Sequence, residues 1–362
     1  MTDHLKLFIP GPVEVHPDVL KACSVPMISH RAKEYEALHA RTREKLKQLL
    51  HVAAGRVFLF TSSATGAMES SVRNLSTRRI LSCTCGAFSE RWFEIARENG
   101  RAADAYSVEW GRPNRPEEID RLLATGKYDA LMLVHNETST GLMNPLKEIA
   151  EVARKHSDVM FCVDAVSSMA GVDMDFEALG IDLLFAGVQK AFGLPPGLTV
   201  AAVSPRALKK AAGVPDRGHY FDLVQYQKYD DKNQTPETPA ISLVHALDVQ
   251  LDRMMKEGFQ ARFARTRQMA ETCRAWAREQ FALFPEAGYE SVTLTAIRNT
   301  KGINVGKLNA ELAKRGVTIS EGYGKIKDQS FRIAHMADIT MTDLTELLNM
   351  IDEILKLGLV NK

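Results

Sequence analysis

The sequence predicts an α/β fold: a mainly parallel sheet covered by helices, followed by a smaller α+β region. Two patterns predict it. Short apolar runs of strand length alternate with segments of helical periodicity, and polar residues able to do chemistry sit where those apolar runs end. After an arm at 1–14, extended and punctuated by Pro and Gly, residues 32–52 are helical through Tyr35, Leu38, Leu46, Leu49 and Leu50. Strands are predicted at 56–61, 78–83, 129–136, 159–163, 182–186 and 198–203. Helices are predicted near 66–76, 87–99, 116–124 and 145–156. Residues 204–239 read as a long irregular segment, polar, aromatic and Pro-marked, of the kind found at functional sites or interfaces. A helical stretch follows over 240–280, broken at Gly258. Strand 291–298, helix 305–315, strand 330–336 and helix 341–356 then complete the chain. The expected division is an N-terminal arm at 1–14, a large domain at 15–248 and a small C-terminal domain at 249–362.

Composition narrows the function. A content of 45% hydrophobic and 25% charged residues is that of a globular protein with a large core. A formal net charge of +1 gives no reason to invoke nucleic acid or an anionic membrane. The first residues lack the apolar core of a signal peptide, and the uncharged stretch around 191–205 is too short and too Pro-rich to span a bilayer. A cytoplasmic location is therefore expected. Five cysteines cannot all pair within the chain, and no His cluster accompanies Cys83 and Cys85 at metal spacing, so no metal site is expected.

Lys190 follows the apolar run 182–188 and precedes the turn Gly193-Leu-Pro-Pro-Gly197. Asp164 ends another such run, in Phe161-Cys-Val-Asp-Ala-Val-Ser-Ser168. A strand-end lysine and a strand-end acid are what a pyridoxal phosphate site needs, the amine for the aldehyde and the carboxylate for the ring nitrogen. Taken singly, Lys190 reads equally well as a surface turn lysine and Asp164 as a helix cap. Residues Ser62-Ser-Ala-Thr-Gly66 form a small-residue turn that opens a helix after strand 56–61, a phosphate cradle or an ordinary capped helix. A further strand ends in His135-Asn-Glu137, followed by Thr138-Ser-Thr-Gly141.

These motifs together resemble the class V aminotransferases of the alanine–glyoxylate/serine–pyruvate type. The resemblance runs collinearly through Ile9-Pro-Gly-Pro-Val-Glu-Val15, Pro26-Met-Ile-Ser-His-Arg31, Ser63-Ala-Thr-Gly-Ala-Met-Glu69, Glu137-Thr-Ser-Thr-Gly141, Val163-Asp-Ala-Val-Ser-Ser168, Gln189-Lys190, Thr238-Pro-Ala-Ile-Ser-Leu243 and Phe331-Arg-Ile-Ala-His-Met336. It implies the fold-type-I architecture of pyridoxal-phosphate-dependent transferases, aspartate-aminotransferase-like, with a seven-stranded sheet in the large domain. It also implies pyridoxal 5'-phosphate as cofactor and a homodimer with shared sites. The resemblance makes Lys190 the cofactor-bonding base and Asp164 the ring-nitrogen partner. Ser63, Ala64 and Thr65 become the phosphate cradle, and Gln189 is brought to the cofactor. Val166 and Phe88 flank the ring, although many relatives carry tryptophan where Phe88 stands and Val166 also reads as plain core. Thr138 would bond the ring hydroxyl. Thr235 or Thr238 would reach the phosphate of a second subunit. Gly11 and Arg332 would bind substrate, Arg332 through its α-carboxylate.

The activity this implies is transfer of an amino group from a small amino acid, alanine or serine, to a small 2-oxo acid, glyoxylate or pyruvate. Phosphoserine and 2-aminoethylphosphonate transaminases are alternatives if His30, Arg31 or Arg217 builds an anion pocket. A cysteine desulfurase needs a mobile thiol, and the chain has no cysteine after Cys273. A non-catalytic subunit of the same fold would be expected to lack the lysine or the acid.

Overall fold

The computed structural model describes residues 4–360. Among them, seven strands form one sheet in the order Arg56–Phe60, Thr199–Val203, Leu183–Gly187, Met160–Asp164, Ala130–Val134, Ile80–Thr84 and Ala103–Ser107. Thr199–Val203 is antiparallel to both its neighbours, and the other pairings are parallel. The carboxyl ends of six strands therefore share one edge of the sheet. The inner strands are buried along their whole length, as a sheet with helices on both faces requires. Apolar residues on the two faces feed separate clusters. One joins Leu131, Phe161, Val163 and Leu184 to helix Lys33–Leu50, and the other joins Met132, Cys162 and Phe185 to Trp92 and helix Ala64–Leu75.

A second sheet of five strands runs Lys6–Phe8, Val317–Glu321, Ser330–Ala334, Leu294–Arg298 and Ala282–Leu283. Helices Phe259–Gln280, Val305–Ala313 and Met341–Lys356 cover its apolar face, where Phe331 and Ile333 are buried. Lys6–Phe8 pairs in parallel with Val317–Glu321, so the N-terminal arm belongs to this sheet.

The structure departs from the sequence expectations in several places; helix Pro17–Ala22 and the two-residue strand Ala282–Leu283 were not expected. Residues 204–239 are not wholly irregular. They hold helices Pro205–Ala212, capped by Ser204, and Leu223–Asp230, capped by Asp222. The edge strand Ala103–Ser107 carries too few apolar residues to stand out in the sequence. Val317–Glu321 is one short alternation directly after a helix. All five cysteines are free thiols. Among the described residues no His/Cys/Asp/Glu cluster suits a metal, and no helix is long and apolar enough to cross a membrane.

Asp129 ties the amino end of Ala130–Val134 to the turn before Ile80–Thr84. Its carboxylate accepts hydrogen bonds from Ser76 Oγ (2.6 Å) and the Thr77 (2.8 Å), Arg78 (3.1 Å) and Arg79 (3.2 Å) amides, and it pairs with Lys210 (2.9 Å). Burial alone would raise its pKa, but these donors outweigh burial and hold it at about 2. Its contribution to stability is therefore complete above pH 4 and lost as the pH falls from about 4 toward 2. Asp129→Ala should cost about 3–5 kcal/mol in urea unfolding at pH 7 and much less at pH 2. Equal stability of variant and wild type at pH 7 would show that the network carries no load.

Candidate active site

The shared edge of the large sheet gathers the predicted residues. Lys190 follows strand Leu183–Gly187 and is half-buried, and its Nζ donates to the Pro10 carbonyl at 2.5 Å. The arm is pinned beside it, because the Val13 amide donates to the Gln189 carbonyl at 3.2 Å. Gly11 has φ +133°, and a Cβ there would lie 2.5 Å from Lys190 Cδ and 2.7 Å from Nζ. Gly11, expected against substrate, thus stands against the lysine side chain itself. Burial, and then the Arg332 guanidinium, depress the Lys190 amine to about 8; Asp164 opposes them.

Asp164 ends its strand and is 4% exposed. Among the described residues its carboxylate accepts one hydrogen bond, from the Val166 amide at 2.8 Å. Burial pushes it up to about 7, a value that calls for a cationic partner. Val166 is half-buried and packs toward the same core cluster as Phe185. Thr138 donates from its hydroxyl to Ser167 Oγ at 2.8 Å, and Ser167 is in turn held by Asn136. Trp92 is core, its indole N–H on Ser71 Oγ and its ring edge-on to Phe185.

Ser63 is the N-cap of helix Ala64–Leu75, yet its side chain makes no capping bond and it faces solvent with Thr65. The Gly66 amide donates to the Ser63 carbonyl at 2.9 Å, while the Ala64 and Thr65 amides have no acceptor among the described residues and are open to an anion. Nearby, Ser62 Oγ and Gln189 Oε1 are buried without a partner, and the missing side chain of Gly187 makes room for the Gln189 amide.

Arg332 enters from strand Ser330–Ala334, on the face opposite Phe331 and Ile333. It is 6% exposed and donates to the carbonyls of Glu321 (3.1 Å) and Thr138 (3.2 Å) and to Ser320 Oγ (2.9 Å). Burial lowers it to about 10.

The class-V aminotransferase family model matches residues 19–326. This chain is a class-V aminotransferase. An uncharacterised aminotransferase of Methanocaldococcus jannaschii is 38% identical over 91% of this chain and 87% of that protein. A serine–glyoxylate aminotransferase of Methylorubrum extorquens is 31% identical over 93% and 88%. The solved structure of a subgroup IV aspartate aminotransferase from Thermus thermophilus matches with a TM-score of 0.90 at 30% identity, covering 98% of this chain and 99% of that one.

In this aminotransferase the two threonines near 234–238 differ. Thr235 is buried, with its hydroxyl on the Glu237 carbonyl at 2.7 Å, whereas Thr238 is exposed and its hydroxyl has no partner among the described residues. Arg31 braces this segment through the Thr235 (2.7 Å) and Pro236 (2.9 Å) carbonyls, and Arg217 is consumed by Asp222 and two backbone carbonyls. Arg217 is thereby committed, whereas the exposed Arg31 has no carboxylate partner among the described residues.

Sequence reasoning passed over four residues. Glu137, fully buried, accepts from the Phe88 and Ser89 amides and both serine hydroxyls of Ser89 and Ser139, so it caps helix Ala87–Glu98 and fixes Phe88. Gly86 has to be glycine there, since a Cβ would overlap Glu137. Tyr323 stacks on Phe88 with ring centroids 5.3 Å apart and 26° between planes. Arg91 lies over the same Phe88 ring at 5.0 Å. An acid ending an apolar run was the available signal for Glu137; nothing local marks Tyr323, which comes from the other sheet.

An amine titrating near 8 is protonated below that pH and neutral, hence nucleophilic, above it. In cofactor-free protein the rate at which trinitrobenzenesulfonate labels Lys190, read by peptide mass, should rise about tenfold per pH unit to an inflection near 8. An inflection in the range of an ordinary exposed lysine would contradict the burial argument.

Proposed function

We propose that this aminotransferase works with pyridoxal phosphate and moves the amino group of a small amino acid, alanine or serine, to a small 2-oxo acid, glyoxylate or pyruvate. The observation that carries the reading is the placement of a depressed amine, Lys190, and a buried acid, Asp164, at the ends of adjacent strands, with the Arg332 guanidinium acting on the amine. The residues present suit the cofactor. Asp164 lacks a cationic partner that a pyridinium supplies, and the uncapped helix at Ser63, Ala64 and Thr65, with the orphaned Ser62 hydroxyl and the Gln189 amide, suits a phosphate. Thr138 is available to the ring hydroxyl, with Val166 and Phe88 on the ring faces. Thr238 is the free hydroxyl for the phosphate of a second copy, in a homodimer.

Bound pyridoxal phosphate supplies an electron sink for charge left when the substrate Cα loses its proton. The chain does the rest. Lys190, part neutral near pH 8, takes the Cα proton and returns it, with the Pro10 carbonyl as a resting place for its ammonium. Asp164 holds a proton on the ring nitrogen; in so buried a place its charge acts with little screening. Arg332 clamps the α-carboxylate by its planar fork. The serine–glyoxylate and aspartate enzymes among the relatives support amino-acid donors.

Donor profiling against glyoxylate and pyruvate tests the reading, with Asp164→Asn as the internal control. The variant keeps shape but cannot stabilise a ring cation, so turnover should fall by at least about a hundredfold, some 2.7 kcal/mol, with unfolding little changed. Turnover near that of wild type would count against the role. Arg332→Ala should lower kcat/KM for donor and acceptor alike by about ten- to a hundredfold, and Arg332→Lys should restore only part of it.

A further inference from the structure

The proposed function uses one guanidinium, Arg332, and leaves a second one beside it idle. Arg91 lies on helix Ala87–Glu98 and is half-buried. Its Nη2 donates to Tyr323 Oη at 3.2 Å, and its Cζ stands 5.0 Å from the Phe88 ring centroid. The Arg332 Cζ stands 5.4 Å from the centroid of the same Tyr323. Among the described residues, neither arginine has a carboxylate within ion-pairing distance.

The neighbouring acids are already committed. Glu90 accepts from the Trp110 indole (2.7 Å) and pairs with Lys325 (2.8 Å). Glu137 is spent on the Phe88 and Ser89 amides and the Ser89 and Ser139 hydroxyls. Its contacts with Tyr323 and Phe88 set Arg91 on the side of the site from which Arg332 enters, and its charge is felt at both Lys190 and Asp164. A guanidinium carries five N–H donors, and only one hydrogen bond is used here. Two partly desolvated cations that lack counter-charges, set apart by one phenol ring and a hydrogen bond, match a short ligand with an anion at each end.

We propose that Arg91 and the Tyr323 hydroxyl form a second anion subsite, which takes the side-chain carboxylate of a four-carbon dicarboxylic amino donor while Arg332 holds its α-carboxylate. The inference rests on the transaminase reading above and names aspartate-type donors in addition to alanine and serine. Alanine leaves the subsite empty, and serine offers it only a neutral hydroxyl. The stacked rings of Phe88 and Tyr323 lie beside it. The loop 323–329 brings Tyr323 across from the small sheet, and the Lys325–Glu90 pair and the Lys325–Trp110 contact at 4.6 Å anchor it there.

The test compares wild type with Arg91→Gln, Arg91→Lys and Tyr323→Phe, each checked for unchanged thermal unfolding. With glyoxylate as acceptor, the ratio of kcat/KM for aspartate to that for alanine should fall at least about tenfold in Arg91→Gln. Arg91→Lys should restore part of it, and Tyr323→Phe, which keeps the stacked ring, should lower it less. Independently, calorimetry on the holoenzyme should show succinate binding at least about tenfold more tightly than propanoate, a gap that Arg91→Gln closes. An unchanged donor ratio in Arg91→Gln, or equal binding of succinate and propanoate by wild type, overturns the subsite. A wild type that turns over no amino donor but keeps its preference for succinate sinks the transaminase reading and leaves the subsite standing.

Discussion

Burial of opposite charges at one edge of a parallel sheet is the constraint on which this structure depends. Asp164 ends one strand and Lys190 follows the next, and burial moves both toward neutrality: the acid is driven up to about 7 and the amine down to about 8. Such a pair is costly to keep unless a ligand completes it. Parallel pairing directs the turns after Thr84, Val134, Asp164 and Gly187 to the same edge, and the antiparallel strand Thr199–Val203, set between Leu183–Gly187 and Arg56–Phe60, brings the turn after Phe60 there too. The uncapped helix at Ser63, the orphaned Ser62 hydroxyl and the Gln189 amide lie in those turns.

The second sheet closes the site in two ways. Its strand Ser330–Ala334 delivers Arg332 across to the Thr138 carbonyl, and the loop after Val317–Glu321 delivers Tyr323 onto Phe88. The N-terminal arm adds a third tie. It is a strand of the small sheet at Lys6–Phe8, and a few residues later it presents the Pro10 carbonyl to Lys190. One short segment therefore links the position of the small sheet to the Lys190 amine, and Gly11 is the residue that lets the two approach.

Much of this was legible in the chain. The sheet residues announce themselves as apolar runs, and Asp164 and Lys190 stand out because charge is rare at the end of such runs. Arg332 was legible by its alternation with Phe331 and Ile333. What was hidden has a physical reason in each case. The strand Ala103–Ser107 is an edge strand with little to bury, and the helices Pro205–Ala212 and Leu223–Asp230 are too short to show a period, although Ser204-Pro205 and Asp222 are good caps. Tyr323 meets Phe88 and Arg91, and Pro10 meets Lys190, only through contacts between distant segments, and no local pattern encodes those. The difference between Thr235 and Thr238 likewise comes from a single local bond to the Glu237 carbonyl, which the sequence does not announce.

Borohydride reduction of the purified protein supplied with pyridoxal phosphate, followed by a tryptic mass map, bears most directly on the central role of Lys190. The cofactor mass is expected on the peptide that carries Lys190, with loss of the visible absorbance on reduction. A fixed cofactor on any other lysine, or none on the folded protein, would contradict it.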